Sequence, residues 1–272
     1  MRSTDNAMLP YLVVDASGTP VEAVSEFLRE LVACDSSPTS VRSYAFDLLR
    51  WFRFLAAVGV DWSRASRVEV RDFVTWLRMA DNPQRARHRP GRPPAGSVNA
   101  RTGKRYLASG YAPATINHAL SVLSAFYAYH IEVGTGPLVS PVPWAGRGPR
   151  VHAHHNPMEP FAARRRGAYR QKLQPSPPRA IPDELFAEVF ATMTCHRDRA
   201  LLSFYVSSCA RPSELLGMTG ADVDYGEQRI AVVSKGSRAR EWVPASPESF
   251  VWLALYLADG PKLAPGQPLW WT

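Results

Sequence analysis

The sequence predicts a mainly α protein of two units, with a basic proline-rich linker between them and a small β-hairpin that makes the second unit α+β. Three observations predict it. Apolar stripes at spacings of three and four recur through residues 21–134, whereas residues 135–180 gather proline, glycine, histidine and arginine without a period. Beyond residue 181 the helical pattern returns and is interrupted by two β-like runs flanking Lys235-Gly236-Ser237-Arg238. At 272 residues the chain is long enough for two ordinary domains. The expected division is a tail over 1–20, a helical domain over 21–134, the linker over 135–180 and a second domain over 181–272.

The elements follow in order. Val24, Phe27, Leu28 and Leu31 share one face of a first helix running from about Val21 to Val32. A second begins after Pro38, where Thr39 or Ser40 is placed to cap it, and carries Val41, Tyr44, Leu48, Leu49, Phe52 and Leu55 up to Gly59. Ser66 and Glu69 form a capping box for a third, with Val70, Phe73, Val74 and Leu77 on its stripe. Residues 81–111 read as a long basic loop, and a fourth helix follows Pro113 with Ile116, Leu120, Leu123, Phe126, Tyr127 and His130 before Gly134. In the second unit, helices are expected from Pro182, from Arg197 to Ser207 and from Ser246 to Ala258, with the hairpin strands RIAVVS and REWVPA ahead of the last.

Charge narrows the class of partner. Residues 81–180 hold 15 of the 32 Lys and Arg and 3 of the 24 acidic residues, a net of +12, while the rest of the chain nets −4. A basic middle between mildly acidic ends suits a chain that grips a polyanion with its loops and linker. No run of about 18 uncharged apolar residues argues for a membrane span, and the N-terminus carries Asp5 and Asp15 around only a short apolar stretch. The expected location is cytoplasmic. Cys34, Cys195 and Cys209 are too scattered for a disulfide framework or a zinc site, and read as buried thiols. His152, His154 and His155 lie in the basic tract without a cysteine or paired carboxylates beside them, so no metal or other cofactor is expected.

One constellation carries chemistry. In Ser207-Ser208-Cys209-Ala210-Arg211-Pro212-Ser213-Glu214, Pro212 suits the first position of a helix and Glu214 its positive end. A guanidinium there can hold phosphate oxygens through two parallel hydrogen bonds, or simply pair with Glu214. Lys235 follows 24 residues later at the hairpin turn, with Arg238 and Arg240 close behind. Such a hairpin can bring a point charge to a phosphate or give up a proton there.

In this order the parts resemble the tyrosine recombinase (phage integrase) family. RDRALLSFYVSSCARPSELLGMTGADVDY is similar to the family's arginine-bearing helices, and IAVVSKGSRAREWVP to its lysine-bearing hairpin. TSVRSYAFDLLRWFRFL and APATINHALSVLSAFYAYHIEVG resemble, less specifically, its core-binding domain. The resemblance implies a helical SAM-like core-binding domain followed by the N-terminal part of an α+β tyrosine-recombinase catalytic domain. It implies double-stranded DNA as partner, a homo-oligomer on DNA that is a tetramer in the family, and no cofactor. Arg211 is then the first catalytic arginine, Lys235 the hairpin lysine assisting the leaving oxygen, and Glu214 a support that orients Arg211. DNA contacts are expected from Arg85, Arg87, Arg89, Arg92, Arg101, Lys104 and Arg105 in the loop, and from Thr115 and Asn117 in the fourth helix. Arg164, Arg165 and Arg166 in the linker, with Arg238 and Arg240 in the hairpin, complete the set.

The sequence departs from the family in two places. Ser208-Cys209-Ala210 stands where a threonine-glycine pair usually precedes the arginine. The 37 residues after Lys235 contain no histidine-x-x-arginine box, and their one tyrosine, Tyr256, lies within an apolar helical stripe. Neither Tyr256 nor Tyr225 reads as a nucleophile. The expectation is therefore a chain stopping partway through the catalytic domain, which binds DNA without completing strand cleavage and rejoining. The alternative is a non-catalytic DNA-binding remnant or competitor at recombination sites. A last helix left uncovered is expected to expose Val251, Leu253, Leu255 and Trp270.

Overall fold

The computed structural model describes residues 1–83, 93–94, 96–99, 106, 108–143, 167–173, 180–234, 238–260 and 266–270. They fall in two compact units, Met1–Pro175 and Ser176–Thr272.

Among the described residues, four α-helices build the first unit: α1 (Glu22–Ala33), α2 (Pro38–Val58), α3 (Arg67–Met79) and α4 (Pro113–Glu132). α2 is capped by Ser37 rather than by Thr39 or Ser40, because Pro38 takes the first helical position and Ser37 Oγ accepts from the Ser40 N–H. α3 opens with the expected reciprocal box, in which Ser66 Oγ accepts from Val68 and the Ser66 N–H donates to Glu69. The predicted stripes meet in one aromatic core, where Trp51, Phe73, Phe126 and Tyr127 are fully buried. The indole N–H of Trp51 donates to the Tyr127 hydroxyl at 3.0 Å, which donates in turn to the carbonyl of Trp62 at 3.0 Å. This chain satisfies two polar groups that would otherwise be buried at a cost of about 1–3 kcal/mol each.

The unit is larger than the helical domain read from the sequence. Residues 1–20, expected as a tail, form an antiparallel pair, β1 (Arg2–Ser3) and β2 (Tyr11–Leu12), and bury Leu9 and Val13 against the helices. Asp15 closes the return by accepting from the N–H groups of Ser17 and Thr19. Val142, expected in the linker, also joins this core. A short apolar segment docks where it finds a complementary face, even when no periodicity marks it.

The second unit has a smaller core. Around Phe204, Leu215, Met218, Ile230 and Leu253 pack α6 (His196–Ser208), α7 (Pro212–Leu216), α8 (Pro247–Ala258) and the strand β4 (Arg229–Val233). β4 is central in an antiparallel sheet between β3 (Val223–Asp224) and β5 (Arg240–Pro244), so the expected hairpin stands, with a third strand added. α5 (Asp183–Ala191) precedes them and buries none of its residues fully.

Two expectations are corrected here. Cys34 and Cys209 are exposed and Cys195 is half-buried, since all three sit at helix ends, where the stripe no longer faces a core. Val251 and Leu255 are exposed as expected, but Leu253 is fully buried and Trp270 is partly covered. The chain returns after α8: Leu269 donates its N–H to the Met218 carbonyl at 2.8 Å, and the Trp270 indole N–H donates to the Leu215 carbonyl at 2.6 Å. Trp270 also stacks on Tyr256 with ring centres 5.7 Å apart.

Candidate nucleic-acid interface

Arg211 is placed by the way α6 ends. Cys209 adopts a left-handed conformation, with φ of 55°, and thereby stops α6. Ser208 steadies the turn, since its hydroxyl donates to the Phe204 carbonyl and accepts from the Ala210 N–H at 3.2 Å. Pro212 then forces the residue before it into extended backbone, and Arg211 has φ −72° and ψ 151°. Cys209 lies in the stretch where the resemblance puts a threonine-glycine pair, and its L side chain occupies a conformation that glycine adopts without cost.

Glu214 holds the arginine on two sides. Its Oε2 accepts from the Arg211 main-chain N–H at 2.8 Å and its Oε1 from Nη1 at 2.6 Å. The Glu214 side chain is 8% exposed and that of Arg211 is 58% exposed. The ion pair and the phosphate clamp are therefore not exclusive readings of the sequence. One edge of the guanidinium is fixed by a covered carboxylate, and the exposed remainder has donors for a second anion.

α7 packs on β4 through Leu215, Met218, Ile230 and Val232, which ties the arginine's helix to the hairpin. Lys235 itself lies outside the described residues. On either side of it the hairpin is closed by the Ser234 N–H donating to Ala239 at 2.9 Å and the Arg238 N–H donating to Ser234 at 3.0 Å. Arg238 takes a left-handed φ of 55° in that closure.

The other predicted contacts divide. Arg85, Arg87, Arg89, Arg92, Arg101, Lys104, Arg105, Arg164, Arg165 and Arg166 lie outside the described residues, as do His152, His154 and His155. Arg240 is engaged within its own unit: it donates to Asp222 at 2.9 Å and to the Ala221 carbonyl at 3.1 Å, and its guanidinium lies 4.9 Å from the Trp242 ring centre. Burial opposes ionisation of Asp222, but the main-chain N–H and hydroxyl of Thr219, together with Arg240, outweigh it and hold the carboxyl below its usual value. Arg229 covers the Trp242 ring as well, at 5.0 Å, and pairs with Asp224. Thr115 is half-buried in the first turn of α4.

Asn117 does not face outward. It is 5% exposed, and its carboxamide is taken up by the main chain of Gln171, donating to that carbonyl at 3.0 Å and accepting from its N–H at 2.7 Å. Nothing in the fourth-helix stripe distinguishes such an anchor from a surface contact. The signal lies instead in the linker, where Tyr169-Arg170-Gln171-Lys172 alternates residue by residue.

Residues 24–89 match the phage integrase N-terminal SAM-like domain. Over this stretch, about a quarter of its length, the chain is similar to the phage integrases. A 64-residue stretch is 38% identical to the tyrosine recombinase XerC of Chlamydia caviae, covering 24% of this chain and 20% of that protein. Among solved structures, XerA recombinase is similar at a TM-score of 0.28 and 17% identity, over 88% of this chain and 64% of that one. The integrase from mycobacterium phage Brujita is similar at 0.29 and 14%, over 85% and 60%. The chain thus spans less than two thirds of each of these relatives.

Proposed function

We propose that these 272 residues are the DNA-gripping and phosphate-holding part of a site-specific recombinase, of the class that cuts and rejoins strands through a phosphotyrosine. The observation that carries the reading is Arg211, fixed on one edge by Glu214 and exposed on the other, in a chain whose first unit contains an integrase SAM-like domain. Phosphoryl transfer gains mainly from placed positive charge around developing negative charge. In this reading Arg211 clamps the scissile phosphate, Glu214 orients it, and Lys235 protonates the leaving oxygen. Arg238 and the basic loop and linker add phosphate contacts, and the chain assembles as a homo-oligomer on paired sites.

The attacking tyrosine is not assigned to any residue of this chain. Tyr256, the one tyrosine after the hairpin, is 7% exposed and stacked on Trp270, which supports a packing role. The polypeptide accordingly binds duplex DNA without forming the covalent ester, the behaviour of a competitor at recombination sites. In a gel-shift series, duplex affinity is expected to fall steeply with salt. Arg211→Ala is expected to weaken binding about tenfold or more, the size of one charge-assisted hydrogen bond of roughly 1.5–3 kcal/mol. A covalent protein–DNA adduct trapped on a nicked duplex by this chain would overturn the assignment of Tyr256 to packing and of the polypeptide to binding alone.

A further inference from the structure

The Asn117 anchor has a counterpart one alternation away. Tyr169 is half-buried against the helical core; its hydroxyl accepts from Arg67 Nε at 3.0 Å, and the Arg67 guanidinium lies 5.6 Å from its ring centre. Gln171 is likewise half-buried, and its own side chain donates back to the Tyr169 carbonyl at 2.8 Å. Between and after them, Arg170 and Lys172 are exposed. The Arg170 N–H closes a turn by donating to the Gly167 carbonyl at 3.1 Å, and from Tyr169 to Lys172 exposure alternates residue by residue, so that Tyr169 and Gln171 are anchored inward while Arg170 and Lys172 stand outward as a pair. Two main-chain hydrogen bonds to one buried carboxamide also fix which linker residue sits against α4.

We propose that residues 167–172 are a strap by which the helical domain fixes the end of the basic linker, with Asn117 and Arg67 as positioning residues and Arg170 and Lys172 as a preset pair of contacts to the phosphate backbone of duplex DNA. The proposal rests on the DNA-binding reading above and deepens it. A linker that is basic but loose gives up conformational freedom each time it meets DNA, whereas a strap already ordered in the free protein does not. Asn117 then acts on DNA through the linker it holds, not by touching a base or phosphate.

The test separates docking from DNA contact. Amide hydrogen exchange at Gln171 reads the strap in the free, full chain. It is expected to be protected in the wild type and to exchange at least tenfold faster in Asn117→Ala. Because a buried substitution can harm the fold, Gln171→Pro removes the same donor from the linker side and leaves α4 intact; amides of α2 and α4 must stay protected in both. Arg170→Ala/Lys172→Ala is expected to keep Gln171 protected yet reduce the slope of log affinity against log salt by about two, near 0.9 for each phosphate no longer neutralised. Asn117→Ala and Gln171→Pro should lower duplex affinity at constant salt. Unprotected Gln171 in the wild type overturns the strap. A double variant whose salt slope equals that of a steeply salt-dependent wild type overturns the phosphate contact while leaving the DNA-binding reading intact. Salt-independent or absent duplex binding by the wild type overturns both.

Discussion

The two units solve the same problem with different reserves. In the first, four helices and a returning N-terminal strand close over Trp51, Phe73, Phe126 and Tyr127, and the polar edges of those rings are paired internally. In the second, α6 fully buries only Ala200 and Phe204, α5 fully buries nothing, and Leu185, Val189, Tyr205, Val206, Val251 and Leu255 stay exposed. Arg211, the candidate phosphate clamp, belongs to the less protected unit. Large aromatic burial gives the first unit stability to hold a precise platform, whereas the second presents Arg211 from a five-residue helix held largely by Leu215. The difference predicts two unfolding transitions, with the second unit opening at lower denaturant.

The sharpest way to break that comparison is Trp51→Ala. Removing the fully buried indole leaves a cavity and takes away the N–H that the Tyr127 hydroxyl accepts, at an expected cost of about 3–5 kcal/mol. Denaturation followed by amide exchange should show the loss in the first unit alone; an equal loss in both would mean that they fold as one.

A smaller effect concerns acid. His130 is fully buried, with Nε2 donating to the Ala23 carbonyl at 2.9 Å and Nδ1 hydrogen-bonded to the Thr135 hydroxyl at 2.7 Å, so the neutral ring has a partner at both nitrogens. Burial lowers its pKa below the ordinary 6.5, against the opposing effects of the Ala23 carbonyl and Glu26. A lowered folded-state value means that its contribution is fully present above about 6.5 and is lost as pH falls through the folded pKa. The denaturation midpoint of the first unit should therefore fall on acidification from neutral pH, and His130→Gln should flatten that dependence.

Smallest is Cys209→Gly. Relieving the left-handed conformation at φ 55° is expected to stabilise the second unit by up to about 1 kcal/mol, readable as a higher midpoint of its transition. A lower midpoint would show that the greater freedom of glycine in the unfolded chain outweighs the relief.

Much of the fold was legible because its signals are local. The Ser66-Glu69 box, the stripes of α2 to α4 and the two β runs each declare themselves within a few residues, and each formed as read. The extent of the first unit was not legible. Leu9, Val13 and Val142 lack a period and are buried only because a distant face accepts them. The candidate site divides in the same way. Arg211 and Glu214 are three residues apart, and their pairing across a turn follows from spacing. Arg240 and Asp222 are 18 apart, and Asn117 and Gln171 are 54 apart, so no window of sequence contains either pair.

Sequence alone determined the helical periods, the basic middle, the arginine ahead of Pro212 and the lysine at the hairpin turn, since all depend on residues near one another or on summed charge. Tertiary structure decided which polar groups were already committed. It turned Asn117 from a surface contact into a buried anchor, closed Arg240 onto Asp222 and brought Trp270 back over Tyr256. Each of these is a choice among partners far apart in the chain, and for Asn117 it is made because a buried donor or acceptor left unpaired costs more than the freedom lost in pairing it.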